Sequence, residues 1–163
     1  MKVDIDFISG LGLFWPELDL KRFLASLAIL DEPPPLNDSY SCFLYNHGLG
    51  IELTFKNADL LKFRPRDYPR KARVLQNIRL HGETKGAFSP YRGAIPFGLR
   101  FDMTKQSLID RLGPPSSVAE HIPSMRWDAE RYCLFANLSE TGGVRSVSVQ
   151  TPVVEATRPS LGA

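Results

Sequence analysis

Apolar positions recur along this chain with two periods, and the two periods alternate. Leu20, Phe23, Leu24 and Leu27 fall at i, i+3, i+4 and i+7, the stripe of a helix packed on one side. Asp19 is placed to cap it, and Pro33 to Pro35 close the segment. The same plan returns at 104–115, TKQSLIDRLGPP, where Thr104 can cap a short helix with apolar Leu108, Ile109 and Leu112. Gly113 suits the left-handed residue that ends a helix, and Pro114 and Pro115 forbid its continuation.

After each predicted helix the apolar period shortens to two, as in half-buried strands. The first set is 40–45 (YSCFLY), 50–55 (GIELTF) and 74–80 (VLQNIRL); the second is 125–128 (MRWD), 132–138 (YCLFANL) and 144–150 (VRSVSVQ). The turns NHGLG and SETGGV supply the glycines that hairpins favour. The expected class is α+β: two tandem helix-β-β-β units forming one antiparallel sheet with helices on one face. The units are 1–80 and 97–151, joined by a Gly/Pro-rich segment at 81–96 and followed by a tail at 152–163.

The two copies differ in the link between their second and third strands, about 18 residues in the first and about five in the second. The long link, 56–73, carries seven Lys or Arg against two Asp, which leaves the remainder at −3 beneath an overall +2. A basic segment on a mildly acidic body reads as a local contact site, with Phe63 and Tyr68 as aromatic anchors. Its cations also define the alternative function, nucleic-acid binding, with Arg64, Arg66, Arg70, Lys71 and Arg73 on phosphates and Tyr68 or Tyr91 stacked on a base. No RNP, KH or helix-turn-helix signature accompanies them.

The N-terminus has one lysine and then two aspartates instead of the basic start and apolar run of a signal peptide, and no stretch approaches the roughly 20 apolar residues of a membrane helix. The expected location is cytoplasmic, where the sequons at Asn37 and Asn137 are silent. His47, His81 and His121, with Cys42 and Cys133, show no metal-ligand spacing. No G-x-S-x-G elbow or complete phosphate loop occurs. Asp102, Asp110, Asp128 and Glu130 read as solvated acids, so the expectation is a non-enzymatic chain that needs no cofactor.

Residues 96–115, PFGLRFDMTKQSLIDRLGPP, resemble the opening of the domain found in BamE lipoproteins and in tandem-repeat beta-lactamase inhibitor proteins. Asp102 stands where that family usually has Gly before the Met103-Thr104 pair. With Trp127 and Asp128 on the next strand and a Gly-Val-x-x-V final strand, the second half also resembles bacterial immunity proteins encoded beside secreted toxins. The resemblance implies a sheet made from both copies, helices covering one face and the other open to a partner.

Alternation places side chains on those faces. Ile51, Leu53 and Phe55, Ile78 and Leu80, and Tyr132, Leu134, Ala136 and Leu138 turn toward the helices. Glu52, Thr54, Asn77, Arg79, Phe135 and Asn137 turn outward, with Tyr45 beside them. Trp127 reads as core. The expected function is an immunity or inhibitor protein that neutralises a cognate toxin. Its contacts would be Tyr45, Glu52, Asn77, Arg79, Phe135 and Asn137 on the sheet and Arg64, Arg66, Tyr68 and Arg70 on the basic loop.

Overall fold

The computed structural model describes residues 5–119, 121 and 123–153. Its elements run α1 (Phe7–Gly10), β1 (Phe14–Trp15), α2 (Leu18–Ser26), β2 (Ser41–Asn46), β3 (Ile51–Asn57), β4 (Arg73–His81), α3 (Lys105–Leu112), β5 (Ser117–Ala119), β6 (Ser124–Asp128), β7 (Cys133–Leu138) and β8 (Val144–Gln150). The fold is α+β: an antiparallel sheet of eight strands in the order β2-β3-β4-β8-β7-β6-β5, with β1 set beside β4. No helix among the described residues is long and apolar enough to cross a membrane.

β4 and β8 form the middle of the sheet. Asn77 to His81 of β4 pair with β8, while the start of the same edge pairs with β1, Phe14 opposite Val74. The amide of Leu75 donates to the Leu13 carbonyl at 2.8 Å, and Gly12 donates back to Leu75 at 2.9 Å. One edge of β4 is thus completed by two segments remote in sequence, and its backbone groups stay paired along its length.

One continuous core lies on one side of this sheet. Alternate residues of β3, β4, β6, β7 and β8, among them Leu53, Ile78, Trp127, Leu134 and Val149, pack with Leu20, Phe23, Leu24 and Leu27 of the α2 region and with Leu108 of α3. The stripe at 20–27 is therefore the buried face of α2, as its spacing requires. Trp127 is buried and its indole N–H donates to the Gly113 carbonyl at 2.9 Å, which makes it a core residue with its polar atom satisfied.

α3 begins and ends where its residues dictate. The Thr104 hydroxyl accepts the Ser107 amide at 3.1 Å, and Gly113 takes φ 83° before Pro114. α2 departs from expectation at both ends. Glu17 and not Asp19 is the N-cap residue, and Glu17 spends its carboxylate on the Phe14 amide and on Arg66. The helix stops at Ser26, well before the prolines, because Ala28 turns left-handed at φ 56° and Ile29 donates to Leu24.

The long basic link is shorter than the sequence suggested. Lys56 and Asn57 belong to β3 and Arg73 to β4, since cross-strand partners Val74 and Arg73 extend the ladder there. α1, β1 and β5 were not anticipated. The first two are held by distant contacts, and β5 is only three residues long. The Gly/Pro-rich join packs back on the sheet so closely that a Cβ at Gly50, φ +73°, would collide with the Ser89 carbonyl oxygen.

Candidate functional site

The side chains on the sheet's other surface form cross-strand rows. One row runs Tyr45–Glu52–Arg79–Ser148–Phe135–Arg126 from β2 to β6. A neighbouring row runs His81–Ser146–Asn137–Ser124, and another begins Phe43–Thr54–Asn77. Six expected contact residues, Tyr45, Glu52, Asn77, Arg79, Phe135 and Asn137, therefore share one surface.

That surface is concave. Thr54 of β3 and Ala119 of β5 line a single hollow of about 410 Å³ although four strands separate β3 from β5 in the sheet. Such approach requires the sheet to curl, as accumulated strand twist and the shifts of register at Thr54/Phe55 and Asn137/Leu138 promote. Asn77, Arg79, Phe135 and Asn137 line that hollow as well. A second hollow, of about 250 Å³, continues beside it and is lined by Arg79, His81, Lys85, Asn137 and Arg145 among others.

Its arginines are matched in place. Arg79 pairs with Glu52 at 3.3 Å and its Nε donates to the Ser148 hydroxyl at 3.3 Å. Arg126 pairs with Asp128 at 2.9 Å and Arg145 with Glu83 at 2.7 Å. The Asn137 amide donates to Ser146 Oγ at 2.8 Å. Pairing of this kind, across strands for Glu52–Arg79 and Asn137–Ser146, fixes side-chain direction at modest energetic gain. A visitor would meet pre-oriented polar groups with little net charge.

At the β2 end the surface is aromatic. Tyr45 stacks between Phe43, 6.3 Å between centroids, and His47, 5.1 Å. Phe88 from the join lies against Tyr45, His47 and His81 at 5.6, 4.6 and 4.3 Å. Burial pushes the His81 pKa below its usual value, so the ring is neutral near pH 7, and its Nε2 has no hydrogen-bond partner among the described residues. Phe43 and His47 were legible at i−2 and i+2 of Tyr45, where a strand puts them on the same side. His81 carried the same signal at i+2 of Arg79 on β4, whereas Phe88 arrives from the join and carries none.

The basic loop is placed differently. Tyr68 donates its hydroxyl to the Gly12 carbonyl at 2.6 Å and meets Phe14 edge-on at 5.8 Å. Arg66 pairs with Glu17 at 3.0 Å and lies over the rings of Phe14 and Tyr68 at 5.1 and 5.7 Å. Beneath them Ala58, Ala72 and Val74 form a small second core. Arg73 reaches back to the Pro33 carbonyl and, at 3.9 Å, to Glu32. Arg64 and Arg70 are exposed on the outside of this structure. Expected contacts Arg66 and Tyr68 are thus engaged with the chain's own N-terminal segment.

No family model matches the chain, and no curated protein matches it. Among solved structures it is similar to a DUF4309 family protein, YjgB, from Bacillus subtilis subsp. subtilis str. 168. The identity is 16%, the match covers 82% of this chain and 76% of that one, and the TM-score is 0.43.

Both cysteines are free and buried. Burial pushes the Cys42 and Cys133 thiols up to about 11, and Cys133 donates to the Asp128 carboxylate at 3.1 Å. Protonated, enclosed thiols of this kind act as small packing groups. No group of three or more His, Cys, Asp or Glu placed to hold a metal ion occurs among the described residues.

Proposed function

We propose that this protein is a cytoplasmic, non-enzymatic immunity or inhibitor protein that neutralises a cognate toxin by holding it against the concave sheet face. In this reading two tandem helix-β-β-β units, α2 with β2 to β4 and α3 with β6 to β8, contribute the two halves of one cradle. The observation that carries it is the gathering of Tyr45, Glu52, Asn77, Arg79, Phe135 and Asn137 on a single hollowed surface. Partly exposed aromatic rings set among fixed polar groups are the composition from which interface hot spots are drawn. The basic loop supports a partner less well, because Arg66 and Tyr68 are already committed to Glu17, Phe14 and Gly12. The nucleic-acid alternative loses the same two residues.

The test is co-expression with the product of the adjacent gene. Wild-type protein restores growth to cells making that product. Phe135→Ala weakens binding by about 2 kcal/mol, roughly thirtyfold, while lowering the melting temperature by no more than about 4 °C. A neighbouring product that is harmless, or that kills equally with and without this chain, overturns the reading.

A further inference from the structure

The two outer edges of the sheet are built unequally. Natural sheets blunt their edges with short strands, charges or prolines, because an open strand presents unpaired N–H and C=O groups to any other strand. β5 obeys: it is three residues long and directly follows Pro114, Pro115 and Ser116. β2 does not. Its six residues, Ser-Cys-Phe-Leu-Tyr-Asn, include no charge, proline or glycine.

Two independent contacts tell which backbone groups of β2 face outward. The Tyr40 carbonyl accepts the Asn57 amide at 3.0 Å, which puts Tyr40, Cys42, Leu44 and Asn46 in the hydrogen-bonding positions toward β3. Ser41 points the other way: its amide donates to Asn37 Oδ1 at 3.0 Å and its carbonyl accepts the Asn37 amide at 2.7 Å. By the same alternation, Phe43 and Tyr45 direct both their N–H and C=O groups away from β3. Of these outward-facing β2 groups, Asn37 satisfies those of Ser41. Phe43 and Tyr45 are 38% and 41% exposed, and their rings lie nearly parallel, 11° apart.

We propose that this edge pairs with β2 of a second copy of the chain, antiparallel and symmetric about Leu44. Phe43 then stands opposite the partner's Tyr45, and Tyr45 opposite the partner's Phe43. That register pairs the outward N–H and C=O of both residues, and it is self-complementary, as a two-fold interface must be. It sets aromatic residues across from one another and no charge opposite a like charge, both favourable in cross-strand pairs. An uncharged strand offers no electrostatic preference for a foreign segment, and its two open positions are already spaced to match themselves. The two concave faces join into one longer trough. This pairing shares Tyr45 with the proposed toxin surface but is read from the backbone of β2 alone, so dimerisation and toxin binding fail or hold separately.

Sedimentation of the full chain tests it. Wild-type protein shifts from monomer to dimer as its concentration rises across about 1–100 µM, the range of a small interface. Phe43→Lys and Tyr45→Lys, which place charge on exposed positions, remain monomeric throughout, and Val118→Lys on the opposite edge dimerises as wild type. In the wild-type protein, hydrogen exchange at the Phe43 and Tyr45 amides slows at least tenfold from the lowest to the highest concentration. This second measurement needs no variant to fold. A wild-type chain monomeric across the range, lysine variants that still dimerise, a Val118→Lys variant that does not, or amide exchange independent of concentration each overturns the proposal.

Discussion

Phe135 and Tyr68 are both half-buried aromatic residues beside arginines, and the fold uses them in opposite ways. Phe135 stands in a row of a sheet, with Ser148 and Arg126 as cross-strand neighbours and its ring at the wall of a hollow. Tyr68 stands in a loop and turns inward, its hydroxyl on Gly12 and its ring on Phe14. Aromatic and basic composition alone therefore does not mark a contact surface. What separates the two is whether the backbone dictates direction: a strand fixes which way a side chain points, whereas a loop lets it collapse onto the nearest apolar surface.

Stability measurements give the largest contrast. Tyr68→Ala removes the ring that closes the small second core and costs about 2–4 kcal/mol, whereas Phe135→Ala costs about 1 kcal/mol or less. Both are read from the urea midpoint. Equal losses at the two positions would erase the distinction.

Alkaline pH sharpens it further. Burial, opposed in part by Arg66, pushes the Tyr68 hydroxyl from 10.0 up to about 12. The folded chain holds this proton more tightly than the unfolded chain, so its contribution is complete below pH 10 and is lost as pH rises through 12. Cys42 and Cys133, raised from 9.0 to about 11, start the decline earlier. Tyr68→Phe, itself costing about 1 kcal/mol, flattens the stability curve above pH 10. Phe135→Ala leaves the curve's shape unchanged.

The smallest effect belongs to the outer arginines. Arg64→Ala and Arg70→Ala shift stability by less than about 0.5 kcal/mol and, on the proposed function, leave protection in the co-expression assay intact. A loss of protection in either variant would return the loop to the binding surface.

Period-two alternation made the sheet face legible: Ile51, Leu53 and Phe55 are buried while Glu52 and Thr54 are not, as their spacing required. Thr104 and Gly113 likewise announced α3, because caps act on residues three or four positions away. The loop was illegible for the opposite reason. Tyr68 meets Gly12 across 56 positions and Arg66 meets Glu17 across 49, and nothing local encodes such pairs. Curling of the sheet was hidden too, since it arises from register shifts between strands and not from any one strand.

The position of β8 bears on how the protein is made. It is the last strand of the described residues, yet it lies in the middle of the sheet, with β4 on one flank and β7 on the other. A nascent chain halted before Val144 would carry two raw flanks where the finished molecule has none, and such flanks recruit other strands. Synthesis therefore runs through an adhesive stage that ends only when residues 144–150 slot home. Premature stops in this region should yield insoluble fragments and not a smaller working copy.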